Sequence, residues 1–221
     1  MGSAKEKEFH CFAALSDEER RSKKEAFSRF LTYFKNCKAI ADIGSGDGVF
    51  LELLNERYPK KNIIGIEPND ELIELSKSKD RALKVVKDDA VSFMLREGSQ
   101  YDGYILSDII EHLDFESGLK IMELVPEGGT LFIKTPNTDS LLGHQYYLQM
   151  PSHKTPYSPF VLKNMLKRTG FEIIAEGECD GVFSPRSFAG NIRRKILRIL
   201  FIDEYSRLFG GGNYYVIAKK G

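Results

Sequence analysis

Short apolar runs of about five residues alternate with amphipathic stretches of about ten along most of this chain, the rhythm of strands joined by helices. The first organised stretch is helical, from Ser16 to Phe34. Ser16 followed by Glu19 reads as a capping box, and Phe27, Phe30, Leu31 and Phe34 recur at helical spacing. Strands are expected over Ala39–Ile43, Asn62–Ile66, Leu83–Lys87, Tyr101–Leu106 and Thr130–Thr135, with helices over Val49–Arg57, Asp70–Ser78, Ala90–Arg96 and Phe115–Leu124 between them. Such repeats fold as parallel βαβ units with right-handed crossovers, so the expected class is α/β. In detail, this is a doubly wound, mostly parallel seven-stranded sheet with helices on both faces.

After Pro136 the rhythm changes. Asn137 to Pro156 is expected to be a long irregular stretch, rich in Tyr, His, Ser and Pro. Loops of that length in compact domains usually serve function. A helix over Ser158–Arg168 and strands over Phe171–Glu178 and Tyr214–Lys219 follow. The expected organisation is a helical N-terminal extension over 1–37 and one domain over 38–221. An insertion over 180–212 precedes the last strand.

Composition narrows the partners. Lys+Arg and Asp+Glu both number 32 in 221 residues, so no global field draws the chain to nucleic acid or anionic lipid. Nucleic acid is therefore an unlikely partner. The three cysteines, Cys11, Cys37 and Cys179, have neither metal-finger nor disulfide spacing, which favours a reducing cytoplasm. No apolar run approaches the ~20 residues of a membrane span. Within 186–209, however, Arg193, Arg194, Lys195 and Arg198 lie mainly opposite Ile192, Ile196, Ile199 and Leu200. That amphipathic helix suits peripheral contact with the inner membrane face, or packing on the domain or on a second subunit. The oligomeric state is not legible.

The chemistry concentrates at strand ends, where open α/β sheets bind ligands. The first strand runs into Asp42-Ile43-Gly44-Ser45-Gly46-Asp47-Gly48 and then a helix. A dinucleotide loop reads G-x-G-x-x-G and seats a pyrophosphate. Here the third glycine comes one residue early, and Asp42 would repel a phosphate. S-adenosylmethionine (SAM) has no phosphate. It has an ammonium that a carboxylate can hold and a carboxylate that suits backbone N–H groups. The second strand ends at Ile66-Glu67-Pro68, where an acid can accept from both ribose hydroxyls. The third ends at Asp88-Asp89-Ala90, where an acid can accept from an adenine amino group or cap the next helix.

On these segments, together with Ser107-Asp108-Ile109-Ile110-Glu111-His112-Leu113 and Glu127-Gly128-Gly129, the chain resembles class I SAM-dependent methyltransferases over roughly residues 38–178. The resemblance implies cofactor contacts at Asp42, Gly44, Ser45, Gly46, Gly48, Glu67, Pro68, Asp89, Ala90 and Asp108. More narrowly, Phe132-Ile133-Lys134-Thr135-Pro136-Asn137, Tyr146-Tyr147, Pro151-Ser152-His153 and Gly170-Phe171 look like methyltransferases of bacterial surface-glycan (lipopolysaccharide or O-antigen) biosynthesis. That likeness implies an oxygen acceptor on a glycan, its precursor or a related small molecule.

An alcohol acceptor must lose a proton, and histidine is the usual base near neutral pH. His112, after the fourth strand, and His153, in the long loop, are the expected pair at the carboxyl edge of the sheet. His153 acts as the base or stabilises its loop. His112 meets substrate, packs beside the cofactor or caps a helix. Asp108, Glu111, His112 and His153 also form a donor set for a divalent metal that would acidify the acceptor hydroxyl, similar to that of small-RNA 3′-terminal 2′-O-methyltransferases. Two alternatives stay open: a metal-assisted RNA- or quinone-type O-methyltransferase, and a non-catalytic SAM- or nucleoside-binding module.

Overall fold

The computed structural model describes residues 16–179 and 210–221. Most of the basic insertion, including the amphipathic helix expected there, lies outside those residues.

Five parallel strands, β1 (Ala39–Ile43), β2 (Asn62–Glu67), β3 (Val85–Lys87), β4 (Gly103–Ser107) and β5 (Thr130–Pro136), are joined by β6 (Phe171–Cys179) and β7 (Asn213–Lys220). The order across the sheet is β3-β2-β1-β4-β5-β7-β6. Only β7 runs antiparallel, against both β5 and β6. Chain direction across the sheet reverses between β1 and β4, which opens a crevice at their carboxyl ends.

Helices cover both faces, and residue parity assigns each side chain to one of them. Ala39, Ala41, Ile43, Tyr104, Leu106, Leu131 and Ile133 pack in one core with α4 (Ala90–Arg96), α5 (Phe115–Leu124) and α7 (Pro159–Arg168). Ile40, Ile105, Phe132 and Ile217 pack in the other with α1 (Asp17–Ser28) and α2 (Val49–Arg57). A strand covered on both faces reads as a near-continuous apolar run, and every residue of β1 and β5 is buried, with Asp42 and Lys134 the charged exceptions.

Two expectations change. The N-terminal helix ends at Ser28, and Leu31–Phe34 forms a separate 3-10 turn. Phe30, Leu31 and Phe34 all enter the same core, and the tighter turn puts Leu31 and Phe34 on one side. The stretch expected to be irregular contains α6 (Leu141–Leu148), capped by Ser140, whose Oγ accepts from Gly143 N–H at 2.9 Å. α6 docks through an absent side chain: a Cβ at Gly143 would overlap the carbonyl oxygens of Asn137 and Gly212. The segment 16–37 is integral to the fold, since the Phe27 ring stacks on Phe50 with centroids 4.2 Å apart.

Candidate active site

Asp42 sits two residues after Ile40 in β1, on the face that carries α1 and α2. It is buried, and among the described residues its Oδ2 has no hydrogen-bond partner. Burial pushes its carboxyl up to about 7, against the opposing field of Lys23. The next residues turn away from the sheet. Gly44 (φ +73°) and Ser45 both donate backbone N–H to Ile66 O, at 2.8 and 3.0 Å. A Cβ at Gly44 would come within 2.6 Å of Ile109, so both its dihedral and its space require glycine.

A cleft of about 740 Å³, counting its open mouth, lies over this loop. Its floor is Asp42, Gly44, Ser45 and Gly46, and Ser107 and Asp108 at the end of β4 form one wall. Phe50 of α2 and Leu72 and Leu75 of α3 (Asp70–Lys79) supply apolar walls, and Lys23 of α1 closes the remaining side. Buried Arg20 pins α1 here, pairing with Asp47 in the loop and with Glu52 of α2. Lys24 adds pairs to Glu52 and Glu56 at 2.8 and 2.7 Å.

The other expected cofactor residues line the neighbouring strand ends, outside the cleft lining. Glu67 is buried at the end of β2 and accepts from Gly46 N–H (2.9 Å) and Asn69 N–H (3.0 Å). Burial raises its carboxyl above the usual range. Asp89 is exposed and caps α4, accepting from Val91 and Ser92 N–H at 3.1 and 2.9 Å; its bonds with Ser92 hold it below the usual value. Pro68 is exposed and Ala90 half-buried beside them, and Gly48 caps α2 at φ +80°.

Asp108 holds φ +57°, a backbone that L side chains rarely adopt, and its carboxylate is taken by the buried Lys134 ammonium. This pairing removes Asp108 from the expected four-residue metal set. The candidate donors that converge are Glu111, His112 and His153, whose ligand atoms lie within 4.8 Å of one another.

The main chain brings those three together. Lys154 and Thr155 N–H both donate to Glu111 O, at 2.7 and 3.1 Å, and Thr155 Oγ1 donates to Leu113 O at 2.7 Å. The loop after α6 is thereby fastened to the 3-10 turn Ile110–His112. The His112 and His153 rings meet edge to face, centroids 4.6 Å apart, and Tyr147 stacks on His153 at 5.2 Å. His153 Nδ1 lies 2.8 Å from Tyr147 O. A carbonyl can only accept, so Nδ1 carries the hydrogen and Nε2 of the neutral ring keeps its lone pair. Burial lowers both imidazoles below the usual value, and for His112 the field of His153 adds to it. Glu111 is buried and accepts from Thr135 Oγ1 at 2.9 Å; burial, then the Asp108 charge, pushes its carboxyl up to about 8.

Lys23, Lys134 and the apolar walls were missed in the sequence. Leu72 and Leu75, three apart on a helix, were visible as an apolar pair, but nothing local aims Lys23 or Lys134 at a strand end. His144 lies on α6, and His10 falls outside the described residues.

A reversed strand order, a glycine turn at the switch point and an acid on the following strand define a Rossmann-like site for a nucleoside-bearing cofactor. SAM fits the residues present. The unpartnered Asp42 oxygen would hold an ammonium, the open loop leaves room for an amino-acid chain, and Glu67 would accept from the ribose hydroxyls. The chain belongs to the methyltransferase-domain family, whose model matches residues 16–176. It is similar to a SAM-dependent methyltransferase of known structure from Archaeoglobus fulgidus, 29% identical, covering 91% of this chain and 94% of that one at a TM-score of 0.73. Among curated relatives, a bifunctional glycosyltransferase/methyltransferase of Fusobacterium nucleatum is 31% identical over 91 residues, 41% of this chain and 14% of that protein. A trans-aconitate 2-methyltransferase of Sinorhizobium fredii is 22% identical over 163 residues, 72% of this chain and 57% of that one. The chain thus spans less than two thirds of the length of these curated relatives. The chain therefore carries a SAM-dependent methyltransferase domain. Among the described residues no helix is long and apolar enough to cross a membrane.

Proposed function

We propose that this methyltransferase methylates a hydroxyl oxygen, on a sugar of a surface glycan or its precursor, with His153 as the base. The observation that carries the reading is the His153 ring itself, anchored through Nδ1 on Tyr147 O and neutral near pH 7. When bound, the cofactor supplies an electrophilic methyl group on sulfur. The protein's part is alignment and proton removal. His153 Nε2 takes the hydroxyl proton as the oxygen–carbon bond forms and the carbon–sulfur bond breaks, with S-adenosylhomocysteine as the leaving group. His112 sits edge to face against that ring, and the field of His153 helps to keep His112 neutral. The stacked Tyr147 holds the ring in place and narrows its access to water.

The trans-aconitate enzyme, by its name, methylates an acid. A carboxylate is already ionised at neutral pH and needs no base, so an anchored imidazole favours a hydroxyl acceptor. The glycan reading draws support from the glycosyltransferase partnered with the methyltransferase in the Fusobacterium relative. A test uses methyl-labelled SAM with a panel of methyl glycosides, lipid-linked oligosaccharide and trans-aconitate. Label should enter the sugars, and His153→Ala should lower kcat by about 10²–10⁴ with little change in SAH affinity. Label entering only trans-aconitate, or full activity in His153→Ala, refutes the reading.

A second reading is favoured by the convergence of Glu111, His112 and His153. One carboxylate and two imidazoles suit Mn²⁺ or Zn²⁺, which would lower the pKa of the acceptor hydroxyl. Glu111 must shed its proton to bind, so metal affinity should rise as pH passes about 8. Activity abolished by chelator and restored by Mn²⁺ selects this reading, and indifference to chelator refutes it.

A further inference from the structure

Among the described residues three acids line the cofactor cleft, and two of them are already neutralised by the chain itself. Asp47 pairs with Arg20, and Asp108 pairs with Lys134. Asp42 remains, with one oxygen buried and unpartnered. The cleft also holds one cation with a counterpart still to meet. Lys23 sits three residues after Arg20 on α1, hence on the same side of the helix, and lines the cleft beside Asp42, Gly44 and Ser45. Among the described residues no carboxylate lies within ion-pairing reach of its ammonium, which approaches the Phe27 ring at 5.9 Å. Its field nevertheless reaches both Asp42 and Asp108. An uncompensated acid and an uncompensated cation thus face one cleft without touching. The ligand that bridges such a gap carries both charges a few bonds apart, as an amino-acid zwitterion does.

We infer that Lys23 binds the carboxylate of the cofactor's amino-acid end, opposite Asp42, and thereby selects ligands in which that end is intact. This rests on the cofactor assignment and is independent of the acceptor. It gives α1 a role in recognition beyond covering the site: the Arg20 clasp to Asp47 and Glu52 sets the position from which Lys23 reaches the ligand. It also explains how the cleft admits a second anion-binding group although acids dominate its lining.

The test is calorimetric titration of the full chain with S-adenosylhomocysteine (SAH) and with its decarboxylated analogue, which keeps the amine and loses the carboxylate. Wild-type protein should bind SAH about tenfold more tightly than the analogue, the scale of one charge-assisted contact. Lys23→Met should erase that preference by weakening SAH alone, and Lys23→Arg should restore most of it. A merely structural Lys23, or one acting only by tuning Asp42, would weaken both ligands together in Lys23→Met, which overturns the inference. Equal affinity of the wild type for both ligands also overturns it, and that comparison needs no variant to fold. Wild-type protein that binds neither ligand refutes the cofactor assignment instead, so the two failures are distinguishable.

Discussion

Replacing Asp42 with Asn should make the free protein more stable and a poorer binder. The Asp42 carboxyl moves from its ordinary 3.8 up to about 7, chiefly through burial. At about 1.4 kcal/mol for each tenfold change, ionised Asp42 costs the free folded chain about 4 kcal/mol. Between those two values the folded chain keeps a proton that the unfolded chain has lost. Stability therefore falls as pH climbs from about 4 through 7, and the loss is complete above that. Asp42→Asn removes the ionisation and leaves a buried amide whose own desolvation costs about 1–3 kcal/mol. A net gain of about 1–3 kcal/mol is expected at pH 8, shrinking as pH falls toward 5. Urea unfolding of the free protein at both pH values measures it. SAH affinity should move the other way, weakening about 10- to 100-fold as a charge-assisted contact to the ammonium is lost. In the wild type that affinity should rise with pH through about 7, and in the variant this slope should disappear. An Asp42→Asn protein less stable at pH 8, or one that binds SAH as tightly as the wild type, refutes the reasoning.

Arg20→Met strands Asp47 and Glu52, whose side chains are only 12% and 13% exposed. A loss of about 3 kcal/mol in urea unfolding is expected, near the low end for a broken buried pair because Lys24 stays on Glu52. The pH profile of kcat at saturating SAM should keep its plateau below pH 6.5, because both imidazoles are held under that value. An acid limb centred at or above 6.5 would exclude His153 as the base.

The strands and most helices were legible because each is written locally. β1 and β5 are runs buried on both faces, and the turn at Gly44 needs a residue without a side chain. Elements without a local signature were hidden. α6 carries no apolar stripe, since it docks through the bare backbone of Gly143 and leaves Leu141 and Leu148 exposed. Among the site residues, the motif acids were found by position, and their partners were not. Asp108 reads in the sequence as a ligand, but Lys134, twenty-six residues later, claims it through a neighbouring strand. Asp89 reads as an adenine acceptor and spends one oxygen on capping α4. The pairing of His112 with His153 was expected from strand-end logic. What brings them together includes two N–H groups on the Glu111 carbonyl, main-chain bonds that leave no signature in the residue types.

That last staple divides the molecule's freedom to change. Because main chain makes it, the exposed side chain at position 154 is free to drift without moving His153. The number of residues between 153 and 155 is not. Upstream, the exposed positions of α6, among them Leu141, Gln145 and Leu148, can be recoded while His153 keeps its moorings on the turn after β4 and on Tyr147 O. Sequence change can thus accumulate on the outer face of one short helix while the imidazole beneath it keeps its position.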